Sequence, residues 1–160
     1  MDRGLLAPHA PTLRAIIESA GVEQLPEICV RPGVRAVYRL TVYHHDGRAR
    51  DSVSTLIYRT GREVQLETVF LERFGGKPLV YSIPLDRYER LVARLNAIHF
   101  DQLADQPDLP LYGADLWLVE RAAGSFTKSL IVAPDRAEGV YSTLVNAVRA
   151  DLPEALREVG

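Results

Sequence analysis

The chain has 160 residues, a formal net charge of −2, 47% apolar residues and 25% charged residues. That balance suits one domain with one sizeable core and excludes a disordered, collagen-like or coiled-coil chain. A pI near 6.1 gives the whole molecule no pull toward nucleic acid or anionic lipid, and no apolar run is long enough to span a membrane.

Cys29 is the only cysteine, so no intrachain disulfide and no cysteine metal cage can form. It lies in the run Ile28-Cys29-Val30 and reads as a small buried hydrophobe. Met1 to Ala10 lack a continuous apolar h-region, so no signal peptide is expected and cytoplasmic residence follows.

In chain order, residues 11–20 read as a helix. Leu13, Ile16, Ile17 and Ala20 share one face, Pro11 suits a first turn and Gly21 is a stop. A connection through Pro26 and Pro32 leads to a meander over residues 34–71, organised by Asp46-Gly47 and Thr60-Gly61. Taken as two-residue turns, these pair Leu40 with Val53, Tyr38 with Thr55, and Ile57 with Val64. One face then collects Val34, Ala36, Tyr38, Leu40, Val42, Val53, Ile57, Val64, Leu66 and Phe70. The other, wet face carries Arg35, Val37, Arg39, Tyr43, Leu56 and Tyr58 among polar neighbours.

Leu79 to Ile83 can form a fourth strand, and Pro84 opens a helix over 84–98 with Tyr88, Leu91, Val92, Leu95 and Ile98 as its stripe. Residues 104–113 read as a surface loop and 115–132 as a hairpin turning near Ala123-Gly124. A final helix covers 137–156, with Pro153 breaking or re-capping it near the end. Strand runs segregated from helices predict an α+β fold of two layers. It comprises a mainly antiparallel sheet, meander plus second hairpin, with three helices packed on one face.

Asp46-Gly47, Pro84, Leu91, Leu95, Phe100 and Leu103 give the layout hairpin, helix, hairpin, helix. In this it resembles a bacterial domain family of unknown function often found in lipoproteins. Cys29 is the counterpart of that family's cysteine-bearing first strand, and the family's lipobox is absent. The resemblance implies a fold and no activity.

The string His44-His45-Asp46 is the most metal-like, but strand neighbours point to opposite faces, so it reads as a polar turn; no metal or other cofactor is expected. His99 with Asp101 pairs a base type with an orienting carboxylate, without any recognisable nucleophile context. Gly75-Gly76-Lys77-Pro78 lacks the hydroxyl residue and upstream glycine of a phosphate loop. Residues 31–62 hold seven Arg against Asp46 and Asp51, a local excess of five positive charges. Arg/Tyr interleaving there suits nucleic acid, but cross-strand acids neutralise it.

The expectation is therefore a non-catalytic protein-binding or self-associating module whose contact residues are Arg35, Val37, Arg39, Tyr43, Leu56 and Tyr58, with a protein partner or a second copy as its ligand. A small hydrolase-like enzyme using His99 and Asp101 is the alternative. Nucleic-acid binding through the Arg/Tyr face is the second.

Overall fold

A computed structural model of the chain describes residues 9–61 and 63–160; the stretch before His9, which the signal-peptide argument used, lies outside the described residues. The fold is α+β. Six strands form one antiparallel sheet: β1 (Val34–Tyr43), β2 (Ser52–Arg59), β3 (Glu63–Phe70), β4 (Leu79–Ser82), β5 (Leu116–Ala123) and β6 (Phe126–Val132). Their order is β4-β3-β2-β1-β5-β6. Among the described residues four α-helices accompany them: α1 (His9–Ala20), α2 (Leu25–Cys29), α3 (Leu85–Ala97) and α4 (Val140–Asp151). No helix among the described residues is long and apolar enough to cross a membrane.

The helices cover both faces of the sheet, so there are three layers and not two. Tyr38, Leu40 and Val42 of β1 pack with Leu91 and Leu95 of α3 and with Leu144 and Val148 of α4. On the opposite face, Val37, Ile57 and Ala122 pack under Leu25, Ile28 and Cys29 of α2. Leu116, Leu118 and Ile131 pack under Leu13 of α1. The segment containing α2 was expected to be a connection. At five residues it is too short for a periodic stripe, and Pro26 at its start is a first-turn residue.

The long helices form for local reasons that agree with their packing. In α3, Asp86 in the first turn and Arg94 in the last suit the helix dipole, while Tyr88, Leu91 and Leu95 are buried at helical spacing. Buried Asp151 at the end of α4 accepts from Arg90 Nε at 2.9 Å and lies 3.6 Å from Arg94 Nη1, tying the two helices together. The last helix is shorter than expected, because Gly139 precedes it with a positive φ and a 3-10 turn, Pro153–Leu156, follows it.

Both meander registers differ by one residue from the two-residue-turn expectation. Leu40 pairs with Ser54 and not Val53, and Tyr38 pairs with Leu56. Ile57 pairs with Gln65 and not Val64. The first connection is longer than a tight turn: β1 stops at Tyr43, β2 starts at Ser52, and a turn closes between His44 O and Gly47 N at 3.3 Å. The second leaves three residues between paired Arg59 and Glu63, with Gly61 at φ +84°, the geometry of a three-residue hairpin loop. The two displacements cancel between β1 and β3 and invert β2; the inward sets of β1 and β3 are as expected except for Val34, which a register shift before Ala36 turns to the α2 side. Val53 and Ile57 therefore face the α1/α2 side, while Leu56 and Tyr58 face α3 and α4. Residues 52–57 are all buried, so on this central strand no polar alternation marks a face.

Candidate functional site

The expected contact face is not a surface. Val37 is 0% exposed, Leu56 1% and Arg39 3%, and the register puts Val37 and Leu56 on opposite sides of the sheet. Tyr58 is half-buried and stacks on Tyr88, with ring centroids 4.8 Å apart and planes 25° from parallel. Tyr43 packs against the cluster around Leu13. Of the six residues only Arg35 is exposed. The physical reason is the inverted β2 together with the two N-terminal helices, which roof the face expected to be wet.

His99 and Asp101 are not hydrogen-bonded to each other among the described residues. His99 is exposed at φ +55° after α3. Both Asp101 oxygens accept from Arg121, at 3.0 and 2.7 Å. Those bonds hold its carboxyl below the usual range, against the opposing effect of burial.

The most site-like feature lies where α1 and α2 leave part of the sheet uncovered. A cavity of about 250 Å³ is lined by Arg14 and Ile17 of α1, Leu25 of α2, Arg39 of β1, Glu120 of β5, and Thr127 and Ser129 of β6. One cross-strand row supplies its floor. Arg39 pairs with Thr55 on one side and Glu120 on the other, and Ser129 follows Glu120. Arg39 Nε donates to Thr55 Oγ1 at 3.0 Å and its Nη2 to the Glu23 carbonyl at 2.8 Å. No carboxylate lies within ion-pair distance of Arg39 among the described residues. Burial lowers its pKa, which the charge of Glu120 partly offsets. Glu120 Oε2 accepts from Arg14 Nη1 at 3.0 Å, while its buried Oε1 has no hydrogen-bond partner among the described residues.

Beside this cavity runs the β6 edge of the sheet. Toward the C-terminal end of β6 that edge is occupied: Ile131 N–H donates to Asp105 Oδ1 at 2.8 Å, and its carbonyl accepts from Gln106 N–H at 3.0 Å. Outward-pointing backbone groups recur every second residue in an antiparallel edge strand, so Ser129 and Thr127 also point theirs outward. No such edge bond is made by either among the described residues, and both are exposed. The cavity can thus accept an anion at Arg14 and Arg39, a donor at Glu120, and a strand along Thr127–Ser129.

Arg39 was singled out in the sequence for the wrong surroundings, and Arg14 and Glu120 were not singled out at all. One available signal was a lone charge inside an apolar run, Arg39 between Tyr38 and Leu40 and Glu120 after Leu116–Val119. A charge at such a place is rarely free of a partner or a function.

A second cluster gathers at the β1–β2 connection. His45 N–H and Nδ1 both approach Asp115 Oδ1, at 3.0 and 2.7 Å. Arg48 Nη2 donates to Asp115 Oδ2 at 2.7 Å. Burial raises the Asp115 pKa, but the bonds from Arg48 and His45 outweigh it and hold the carboxyl well below its usual range. Half-buried Asp51 is shifted the other way: burial raises it, and the His44 N–H at 2.8 Å only partly compensates.

No protein-family model and no curated protein matches this chain, so neither supplies it with a family, a relative or a function, and the likeness of layout to the lipoprotein-associated domains gains no support from them.

Proposed function

We propose that this chain is a non-catalytic binding module that takes an extended, carboxylate-bearing segment of a partner polypeptide along β6. One observation carries the reading. Among the described residues, the edge at Thr127 and Ser129 is unoccupied and borders a cavity that holds two arginines and a carboxylate oxygen lacking a donor.

Strand addition to an exposed edge supplies main-chain hydrogen bonds, and pockets for alternate side chains supply specificity. The side chains of Thr127 and Ser129 line the cavity, so an added strand lies within reach of it. A carboxylate on that strand meets Arg14 and Arg39, whose planar guanidinium forks suit it. An N–H or hydroxyl on the same segment satisfies Glu120 Oε1. Pairing of two copies through β6 is the form of self-association that the same edge permits. Cytoplasmic residence belongs to this reading, in which the one thiol, buried Cys29, stays reduced.

Selection of a random-peptide display library against the full chain, followed by calorimetric titration of the selected peptides, tests the reading. The expected peptides share an acidic residue or a terminal carboxylate. Arg39→Met and Ser129→Pro each weaken their binding by about tenfold or more, the worth of a charge-assisted contact or of a lost edge bond. Failure to enrich any sequence, or binding indifferent to both substitutions, contradicts it.

A further inference from the structure

The His44–Asp115 cluster has a feature that the ion pairs within it do not explain. His44 is 9% exposed, and its Nδ1 is buried without a hydrogen-bond partner among the described residues. It points at Asp115 Oδ2 from 3.7 Å, too far for a bond. One ring nitrogen of His45, one Asp46 oxygen and one Asp115 oxygen lie within 4.8 Å of one another. The alternation of a strand does not keep the two histidines apart here, because both lie beyond the end of β1 at Tyr43, in the turn from His44 to Gly47.

We propose that His45, Asp46 and Asp115, with His44 beside them, form a binding site for a divalent ion of the zinc, cobalt and nickel class, and that Arg48 occupies it as an internal cation in the absence of metal. An imidazole nitrogen and carboxylate oxygens are ligand types that such ions take, and the unpartnered His44 Nδ1, 3.7 Å from Asp115 Oδ2, offers a further donor at the same place. The guanidinium of Arg48 already bridges the same two acids, with Nη1 at 3.0 Å from Asp46 Oδ1 and Nη2 at 2.7 Å from Asp115 Oδ2. That side chain is 40% exposed, and Nη2 also lies 3.2 Å from Glu158 Oε2. It can therefore swing toward Glu158 and water when a metal enters.

The test is titration of the full chain with cobalt(II), read by visible absorption, and with zinc(II), read by calorimetry. One ion per chain is expected, with the intense visible bands of a four-coordinate cobalt site. His45→Ala weakens binding by about tenfold or more. Arg48→Ala removes the competing cation and tightens binding by about fivefold, close to 1 kcal/mol. A purely structural ion-pair network predicts no saturable binding in either protein. Absence of saturable binding up to millimolar metal, in both the wild type and Arg48→Ala, overturns the proposal. So does an Arg48→Ala variant that folds, by its far-ultraviolet spectrum, and binds no tighter than the wild type.

Discussion

Arg39 faces Glu120 directly across the β1–β5 ladder, yet the ion pair of Glu120 is made with Arg14, 3.0 Å away. A buried guanidinium is thereby left with a hydroxyl and a backbone carbonyl as its partners. Removing a cation from water without a bound counter-charge is unfavourable. In the proposed binding module, the carboxylate of the docked segment supplies the counter-charge that Arg39 lacks.

Arg39→Met keeps the volume and removes the buried charge, and Glu120 retains Arg14. The variant is expected to unfold within about 1 kcal/mol of the wild type, or to be more stable, while losing peptide binding. Urea denaturation alongside the titration separates the two effects; a loss of several kcal/mol would make Arg39 a structural residue.

Val37 and Leu56 are interior positions on opposite faces of the sheet. Glutamate at either buries a charge with no partner provided for it. Val37→Glu and Leu56→Glu are each expected to destabilise by more than about 3 kcal/mol. Far-ultraviolet circular dichroism with thermal melts checks this. A folded Val37→Glu with altered association would restore the contact face that the register removes.

The Tyr58 ring belongs to the core side of the sheet through its stack on Tyr88. Burial, more than its tyrosine neighbours, raises the Tyr88 pKa. Tyr58→Ala is expected to cost about 1–3 kcal/mol in stability and to leave peptide affinity unchanged, since it lies across the sheet from the cavity. Denaturant melts and the same titration measure both.

Acid stability reports on Asp115. Unfolded, its carboxyl titrates near about 3.9, whereas in the fold it is held well below that, burial being outweighed by Arg48 and His45. The unfolded chain therefore takes up the proton first. The stabilising contribution is complete above roughly pH 5 and is lost as pH falls through the lower, folded value. Asp115→Asn should be less stable than the wild type at pH 7, with the gap closing at low pH. Asp51 has the opposite sign: its raised folded pKa opposes folding above that value, so Asp51→Asn should be at least as stable at pH 7 and show no advantage at low pH. Melting temperatures across pH 3–8 settle both signs.

Much of the architecture was legible because it rests on local chemistry. Pro84 with its leucine stripe fixed α3, and the apolar runs either side of Gly124 marked β5 and β6. The Ala123–Phe126 pairing closes that hairpin. The meander register was not legible, since both connections are longer than their glycine dipeptides suggest and β2 is buried on both faces, its serines and Thr55 included. Two turns that agreed with each other carried the same one-residue displacement. The roof of α1 and α2 was hidden for a related reason. Nothing local tells a five-residue helix such as Leu25–Cys29 from a connection, so the face beneath it read as wet. The cavity joins Arg14, Arg39 and Glu120 from three elements far apart in the chain, a proximity that only the sheet order creates.

The central claim is that a partner strand docks along β6 with its carboxylate at Arg39. Its most direct test is the ¹H–¹⁵N spectrum of the uniformly labelled full chain, titrated with a peptide selected for binding. The account predicts that the largest shifts fall on the Thr127 and Ser129 amides and on the Arg39 Nε–H resonance, and that all three vanish in Arg39→Met. Shifts confined to the β4 edge or to residues 44–51, with Ser129 and Arg39 unmoved, would contradict it.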